Sequence, residues 1–378
     1  MQRMAGKKKI RTEFRKSHQG RRRQQDLTRE LTRDERAEDR LVKSERLSGK
    51  GELTRKRTIV GQDADAETGG FAVQRDVDPG AVRGRVLAVH GLRCVVQADG
   101  GREFQCATRR VLKNLSTDLR HVVVAGDVVY LRPETTGDSL IERIEPRQHI
   151  LSRTSKGRQH ILVANVDRLV IVASAAEPHL KPNLIDRFLV EAERMRIEPI
   201  ICINKVDLVD PADLQPLAGV YGQMGYRVIL ASVTSGLGID ALRRLLKSKE
   251  SVVAGQSGVG KSSLLNAVEP QLGLRVGEVS RENEKGKHTT TVARLIPLAM
   301  GGFVVDTPGI RQFQLWDIVP EEVAGYYRDI RPYVSLCRFP DCTHTHEANC
   351  AVKDAVADGK LDARRYESYC YLREGDDL

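Results

Sequence analysis

The sequence lacks any run of 18 or more apolar residues, and no apolar segment follows the basic N-terminus. Neither a membrane-spanning helix nor a secretory signal is therefore expected. Aromatic residues make up only 4% of the chain, with one tryptophan, so few side chains are available to stack on nucleic-acid bases. No internal repeat is visible, which argues against a repeat architecture. These absences predict a cytoplasmic globular protein that has no contact with a membrane.

Positive charge is concentrated at one end of the chain. The net charge is +10, and residues 1–25 hold ten Lys or Arg but a single acid, Glu13. Basic segments without apolar periodicity are typical of disordered arms that bind polyanions, most often nucleic acid. A solubilising tail is the alternative. We predict a basic, largely disordered arm over residues 1–75, with a marginal helix near residues 26–46.

Short apolar segments separated by turn signals occupy residues 80–146. Four strands are predicted, at residues 85–89, 94–96, 103–106 and 128–131. Several short strands in so few residues favour a small β-barrel, and an OB-fold is the natural candidate. Such barrels often bind RNA, although the scarcity of aromatic residues leaves a protein-binding or scaffolding role open.

Strands and helices alternate over residues 161–316, which predicts an α/β domain with a mostly parallel sheet. Strands are predicted at residues 169–173, 199–203, 227–231, 251–254, 293–297 and 302–305, and helices at 183–196 and 238–247. Residues 317–378 combine helical segments, the last near residues 361–373, with a cluster of Cys and His. The expected architecture is therefore a β-barrel, an α/β domain and a mainly helical C-terminal domain.

A complete phosphate-loop pattern, G-x4-G-K-S, spans residues 255–262 between an apolar strand and a helix. Glycines in such a loop let backbone N–H groups surround phosphates, and the helix N-terminus adds partial positive charge. Lys261 is predicted to reach the β- and γ-phosphates, and the Ser262 hydroxyl to ligate Mg²⁺. The loop residues predicted to bind GTP are Gly255, Gln256, Ser257, Gly258, Val259, Gly260, Lys261, Ser262 and Ser263.

A guanine-reading motif, Asn204-Lys205-Val206-Asp207, comes before the phosphate loop. A buried Asp207 carboxylate would accept two hydrogen bonds from guanine, and adenine would leave it unsatisfied. We expect the Lys205 stem to lie over the purine, and the backbone after the next strand, at Ala231 and Ser232, to contact the guanine oxygen. Ordinary GTPases carry the phosphate loop first, so the motif order is circularly permuted.

The switch that senses the γ-phosphate is predicted at Asp306-Thr-Pro-Gly309, directly after a strand. Asp306 would hold Mg²⁺ through water, the Gly309 N–H would contact the γ-phosphate, and Thr290 would complete the Mg²⁺ shell. Position 310 is Ile310, which cannot orient water as the glutamine of Ras-like GTPases does. His288 is the nearest substitute, because imidazole can position water at neutral pH; a loop histidine without a role is the alternative.

Three thiols and an imidazole lie close together in the sequence, at Cys337, Cys342, His344 and Cys350. Such a set suits a tetrahedral structural Zn²⁺ with no open position for catalysis. His346 competes with His344 for the fourth position, and incidental buried cysteines are the alternative.

Together these motifs resemble one family, the circularly permuted ribosome small subunit-dependent GTPase A proteins. The resemblance covers residues 80–370, whereas residues 1–75 look longer than the arm of a typical member. It implies an OB-fold, a permuted GTPase domain and a zinc domain. It also implies a monomer that binds the 30S subunit and 16S rRNA, hydrolyses GTP to GDP faster there, and dissociates. It favours His288 as the catalytic residue and His344 over His346 as the zinc ligand.

Two other functions stay open at this point. The chain could be a GTP-gated RNA-binding module in which hydrolysis is incidental, or a regulator of translation or stress that acts on another RNA. The hypothesis of a 30S-dependent GTPase also predicts a movement. The chain passes from Gly309 into the zinc domain within about 30 residues, so loss of the γ-phosphate is expected to reposition that domain.

Overall fold

A computed structural model of the chain describes residues 8–13, 56–63, 71–73, 80–91, 93–108, 123–134, 138–155, 158–274, 293–306 and 319–375. The helix predicted at residues 26–46 and the predicted site residues His288, Thr290 and Gly309 lie outside these ranges. The chain divides into two compact units. The first comprises Met1–Ile150 and Arg158–Ala164, and the second Leu151–Gly157 and Asn165–Leu378. The four-part division predicted from the sequence stays a prediction.

Three strands lie within the N-terminal arm: β1 (Lys8–Glu13), β2 (Lys56–Asp63) and β3 (Phe71–Val73). They pair antiparallel in the order β1-β2-β3. The prediction of a largely disordered arm therefore does not describe these segments. Each contains β-branched or aromatic residues, which favour strands when a partner strand is available, and the pairing partner lies more than 40 residues away from β1.

A five-stranded barrel follows, built from β4 (Val82–His90), β5 (Arg93–Ala98), β6 (Glu103–Thr108), β7 (Val128–Arg132) and β8 (Ser139–Ile144). The strand order is β4-β5-β6-β8-β7, and pairing of β4 with β7 closes the barrel. Only β6 and β8 run parallel. This is the predicted OB-like topology, although β8 was not among the predicted strands.

The barrel closes tightly around a small aliphatic core. A Cβ atom on Gly84 would stand 2.7 Å from the carbonyl oxygen of Gln97, so no side chain fits there. The fully buried members of the core are Val86, Val96, Cys106, Val129, Leu131 and Ile141. Two further strands, β9 (Ile150–Ser155) and β10 (Arg158–Ala164), follow the barrel in the chain.

Six strands form the sheet of the second unit: β11 (Arg168–Ser174), β12 (Glu198–Asn204), β13 (Arg227–Leu230), β14 (Glu250–Ala254), β15 (Arg294–Pro297) and β16 (Phe303–Asp306). Their order is β13-β12-β11-β14-β16-β15, and all pairs are parallel except β15 with β16. The helices among them are α1 (Pro182–Arg194), α2 (Gln215–Gln223), α3 (Ile239–Leu246) and α4 (Lys261–Val268). The inner strands β11, β12 and β14 are buried along almost their whole length and form nearly continuous apolar runs, which is why the sequence located them to within a residue.

Four helices complete the second unit: α5 (Val323–Tyr326), α6 (Arg331–Val334), α7 (Ala351–Ala357) and α8 (Ala363–Glu374). Their shared core includes Val323, Tyr327, Val352 and Tyr369, and Val190 of α1 packs into it. The C-terminal helices therefore lie directly on α1, a helix that packs on the parallel sheet. Among the described residues, no helix is long and apolar enough to cross a bilayer.

Candidate nucleotide site and metal centre

The predicted nucleotide motifs meet at the carboxyl edge of the parallel sheet. Strand β11 pairs with β12 on one side, where Ser174 is in register with Asn204. On its other side it pairs with β14, which ends at Ala254 immediately before the phosphate loop. Strand β16 lies beside β14 and ends at Asp306, placed here by its backbone. The permutation changes the order of the strands along the chain, yet their carboxyl ends still meet at one edge, where α/β proteins bind ligands.

Asn204 joins the guanine motif to the phosphate loop. Its side chain is 2% exposed, and Nδ2 donates a hydrogen bond to the carbonyl oxygen of Val259, 2.9 Å away. A Cβ on Gly260 would stand 2.5 Å from the same Nδ2, so the contact requires glycine there. The Oδ1 atom is buried without a hydrogen-bond partner among the described residues, at a cost of about 1–3 kcal/mol that a bound donor would remove.

The phosphate loop has the backbone that its glycines predict. Gly255, Gly258 and Gly260 have φ values of 142°, 84° and 91°, which side-chain-bearing residues rarely adopt. A Cβ on Gly255 would stand 2.1 Å from a carbonyl oxygen of β11. The Lys261 ammonium donates to the carbonyl oxygens of Gly255 and Gln256 at 2.8 and 2.7 Å. A positive charge is thus held within the loop, next to the N–H groups at the start of α4.

Asp207 is exposed in the short 3-10 turn Val206–Leu208, not buried as the sequence reasoning assumed. Burial of this carboxylate would have to come from the base itself. The pKa of Asp207 is lowered, chiefly by the hydrogen bond from the buried Ser232 hydroxyl, with smaller contributions from Thr234 and Lys205. The carboxylate is therefore ionised at neutral pH and held in place. Both properties suit a group that accepts hydrogen bonds from two N–H donors.

The four predicted metal ligands converge in the C-terminal helical domain. Their ligand atoms all lie within 4.8 Å of one another. The Cys337 and Cys350 sulfurs are 3.8 Å apart, and His344 Nδ1 lies 3.4 and 3.5 Å from them. A tetrahedral metal with bond lengths of about 2.3 Å to sulfur and 2.0 Å to nitrogen would place two sulfurs about 3.8 Å apart and a sulfur and a nitrogen about 3.5 Å apart. The cluster therefore fits a four-coordinate metal ion.

The surroundings of the cluster select one histidine. His344 is 2% exposed, and burial lowers its pKa, which keeps the imidazole neutral and able to bind a metal. His346, by contrast, has a side chain that is 81% exposed and lies outside the cluster. The Tyr366 and Tyr369 hydroxyls donate to the carbonyl oxygens of His344 and Thr343 at 2.8 and 2.7 Å, fixing the ligand loop to α8. Burial also raises the pKa of Cys342 to about 12.

Known proteins resemble this chain over most of its length. A family model described as RsgA GTPase matches residues 144–316. A small ribosomal subunit biogenesis GTPase RsgA from Sodalis glossinidius is 39% identical over 297 residues, covering 76% of this chain and 84% of the relative. The protein of the same name from Halalkalibacterium halodurans is 41% identical over 292 residues, or 76% and 95% of the two chains. The chain belongs to the RsgA GTPase family.

Solved structures of the RsgA family share the fold. YjeQ from Thermotoga maritima matches with a TM-score of 0.65 and 35% identity, covering 78% of this chain and 98% of that one. YloQ, described as a circularly permuted GTPase, matches with a TM-score of 0.61 and 31% identity over 80% and 97% of the two chains. The predicted family, fold class and enzyme class, a GTP hydrolase with permuted motifs, are thereby confirmed.

Sequence reasoning missed a group of buried charges that joins the C-terminal domain to α1. We call Asp186, Tyr221, Asp329, Arg364 and Arg365 the ion-pair cluster. Arg365 is 1% exposed, donates to Asp186 at 2.7 Å and forms two hydrogen bonds with Asp329, at 2.9 and 2.8 Å. Asp186 also accepts from Arg364 and from the Tyr221 hydroxyl, at 2.9 and 2.7 Å. No local pattern marks these residues, because their partners are separated by 35 to 179 positions.

Proposed function

We propose that this RsgA-family chain is a GTPase of late small-subunit maturation. It binds the 30S subunit and its 16S rRNA, hydrolyses GTP to GDP and phosphate faster on the subunit, and then dissociates. The bond from Asn204 to the Val259 carbonyl carries this proposal, because it builds one site from a guanine motif and a phosphate loop. The relatives' name, small ribosomal subunit biogenesis GTPase, supports the choice of partner. We expect a cytoplasmic monomer.

Each part of the site has a proposed task. Ionised Asp207 accepts the two guanine N–H donors, the Lys205 stem covers the purine, and the backbone after β13 contacts the guanine oxygen. Loop residues 255–263 surround the phosphates, and the Gly309 N–H binds the γ-phosphate. Adenine offers Asp207 no matching pair of donors, and unmatched polar groups reject the wrong ligand by roughly 10⁴-fold or more.

The Mg²⁺ that accompanies GTP would be held by the Ser262 hydroxyl, Thr290 and Asp306. A bound Mg²⁺ neutralises charge that develops on the phosphates. His288 is proposed to position the attacking water, since Ile310 cannot. Asp306 ends β16, which lies beside the strand that leads into the phosphate loop, and this position supports the proposed role of Asp306 in holding Mg²⁺.

Zn²⁺ is the proposed metal of the C-terminal domain, with Cys337, Cys342, His344 and Cys350 as ligands. Three thiolates and one imidazole are a ligand set typical of structural zinc, and four protein ligands leave no position for catalysis. The four-part organisation belongs to the same proposal: an arm over residues 1–75, a barrel over 80–146, a GTPase domain over 161–316 and a zinc domain over 317–378.

GTP turnover with purified ribosomal particles tests the partner. We expect strong stimulation by 30S subunits and little by 50S subunits or protein-free RNA. Equal turnover under all conditions would instead favour a GTP-gated RNA-binding module or a regulator of another RNA.

Calorimetric titration tests the base site independently of the ribosome. GDP should bind and ADP should not, and Asp207→Ala should lose most of the GDP affinity. Asp213→Ala is the matched control, because Asp213 is an exposed carboxylate in the same region with no proposed contact to the base. ADP binding equal to GDP binding would refute the guanine assignment.

Two further variants test the proposed catalytic residue and the basic arm. His288→Ala should keep GTP affinity and lose subunit-stimulated turnover; reduced affinity with normal turnover would contradict a catalytic role. Deletion of residues 1–25 should weaken 30S binding and flatten its salt dependence, because fewer phosphates would be contacted. A truncated chain that binds with an unchanged salt slope would show that the arm does not touch rRNA.

A further inference from the structure

Lys205 has a strained backbone in the middle of the guanine motif. Its φ and ψ are 61° and 35°, in the left-handed region, which few residues other than glycine adopt. Strain of this kind persists only where surrounding contacts hold it, and it is concentrated at functional sites. The contacts that hold Lys205 therefore indicate what its side chain is placed to do.

These contacts come from residues 174–178, which comprise the last residue of β11 and the four that follow it and carry no recognised nucleotide motif. The Ala175 N–H donates to the carbonyl oxygen of Asn204 at 2.8 Å, so this segment is bonded to the guanine motif. Two residues further on, the carbonyl oxygen of Glu177 accepts a hydrogen bond from the Lys205 ammonium. The guanine motif is thus bonded to the segment by both its backbone and its lysine side chain.

Ser174 orients the carbonyl that receives the lysine. It ends β11 in register with Asn204 and is 2% exposed. Its hydroxyl donates to the same Glu177 oxygen at 3.0 Å. That oxygen therefore accepts from a buried hydroxyl on one side and from an ammonium on the other, which fixes the position of the carbonyl.

The same segment also reaches the phosphate loop. A Cβ atom on Gly258 would lie 3.7 Å from Cδ of Pro178, in ordinary van der Waals contact. Residues 174–178 are thus bonded to the guanine motif and pass close to the phosphate loop.

We propose that residues 174–178 are a positioning element for the guanine nucleotide, in which Glu177 anchors Lys205 and Ser174 orients Glu177. When a lysine side chain covers a purine, it loses rotamer freedom, and this loss opposes binding. If the ammonium is already anchored, the side chain has lost that freedom before the ligand binds. Such preorganisation raises affinity without a new contact to the ligand. Ser174 is a positioning residue, not a catalytic one. This inference rests on the proposed guanine-nucleotide site and assigns it a further part.

The test is a double-mutant cycle on GDP affinity, measured by calorimetry. Ser174→Ala should weaken GDP binding about threefold to tenfold, the range expected for the loss of one hydrogen bond. Lys205→Met removes the ammonium and should weaken binding by itself. In the Lys205→Met background, Ser174→Ala should change the affinity less than twofold, because the group that it positions is gone.

Ser251→Ala is the matched control for the loss of a buried hydroxyl. Ser251 is fully buried in neighbouring β14, and its Oγ has no hydrogen-bond partner among the described residues. The Ser251→Ala variant should bind GDP with the same affinity as the unmodified chain. Ser174→Cys keeps nearly the same volume with only a weak donor, so it should resemble Ser174→Ala in affinity while retaining the melting temperature.

The outcomes separate this inference from the proposed function. If Ser174→Ala weakens GDP binding by the same factor in both backgrounds, its role is purely structural and the inference is wrong. It is equally wrong if Ser174→Ala and Ser174→Cys bind GDP as tightly as the unmodified chain. If the unmodified chain does not bind GDP at all, the proposed function itself fails.

Discussion

Replacing Arg365 with methionine is expected to destabilise the second unit severely. Methionine keeps an unbranched stem of similar length but removes the hydrogen bonds to Asp186 and Asp329. It also removes the contact with Tyr327, whose ring centroid lies 4.3 Å from the guanidinium carbon. Burial alone would lower the pKa of Arg365, but its hydrogen bonds to Asp329 and the charge of Asp186 raise it. The arginine therefore stays charged. Its loss removes both of its hydrogen bonds to Asp329 and leaves the buried Asp186 with Arg364 and the Tyr221 hydroxyl alone.

The magnitude follows from the burial of the partners. Asp186 is 0% exposed and the Asp329 side chain 15%. Removing one partner of a buried ion pair costs about 3–5 kcal/mol, because the remaining charge is uncompensated. In a unit of this size, 1 kcal/mol corresponds to roughly 2–4 °C. The melting temperature of this unit should therefore fall by roughly 6–20 °C.

Thermal unfolding followed by circular dichroism measures this change. Lys360→Met is the matched control, because Lys360 pairs with Asp358 at 2.8 Å in the same domain while both side chains are more than half exposed. Exposed pairs contribute about 0–1 kcal/mol, so the control should melt within a few degrees of the unmodified chain. If Arg365→Met melts no lower than the control, the ion-pair cluster does not hold the C-terminal domain on α1.

The ion-pair cluster also affects how the C-terminal domain can move when the γ-phosphate is lost. Asp186 lies on α1, within the GTPase part of the unit, and both arginines lie on α8. This attachment favours a C-terminal domain that moves together with α1. A movement relative to α1 would have to break buried ion pairs, so a variant such as Arg365→Met should make that movement easier.

Three other predictions concern the nucleotide and metal sites. Gly260→Ala should lower GDP affinity more than tenfold in calorimetry, because a Cβ would stand 2.5 Å from Asn204 Nδ2; Gly219→Ala, where nothing lies within 4 Å, should bind normally. Removing the metal with a chelator, or Cys350→Ser, should expose the C-terminal helices to limited proteolysis, and an unchanged cleavage pattern would argue against a structural metal. Metal affinity should be lost as the pH falls, because burial raises the pKa of Cys342 to about 12 and that of Cys350 above its usual value. Metal binding must therefore release at least two protons, and affinity should rise roughly 100-fold per unit between pH 6 and pH 7; a slope below tenfold would contradict this ligand set.

Sequence and structure agree best where local patterns carry the information. Buried parallel strands such as β11 form continuous apolar runs, and the phosphate loop needs glycines whose backbone angles a pattern can record. The weakest agreement lies in segments that depend on a distant partner. Strand β8 mixes charged and apolar residues and is stabilised by pairing with β6 and β7, and β1 pairs with residues far along the chain.

By itself, the sequence determined the ligand class, the permuted order of the motifs, the barrel followed by an α/β domain, and the set of candidate metal ligands. Each depends on short-range spacing, which the covalent chain imposes. Only the tertiary structure decided that His344 and not His346 faces the three sulfurs, that Glu177 receives the Lys205 ammonium, and that Arg365 lies between Asp186 and Asp329. The longest of these contacts joins residues 179 positions apart, so they depend on how the elements pack.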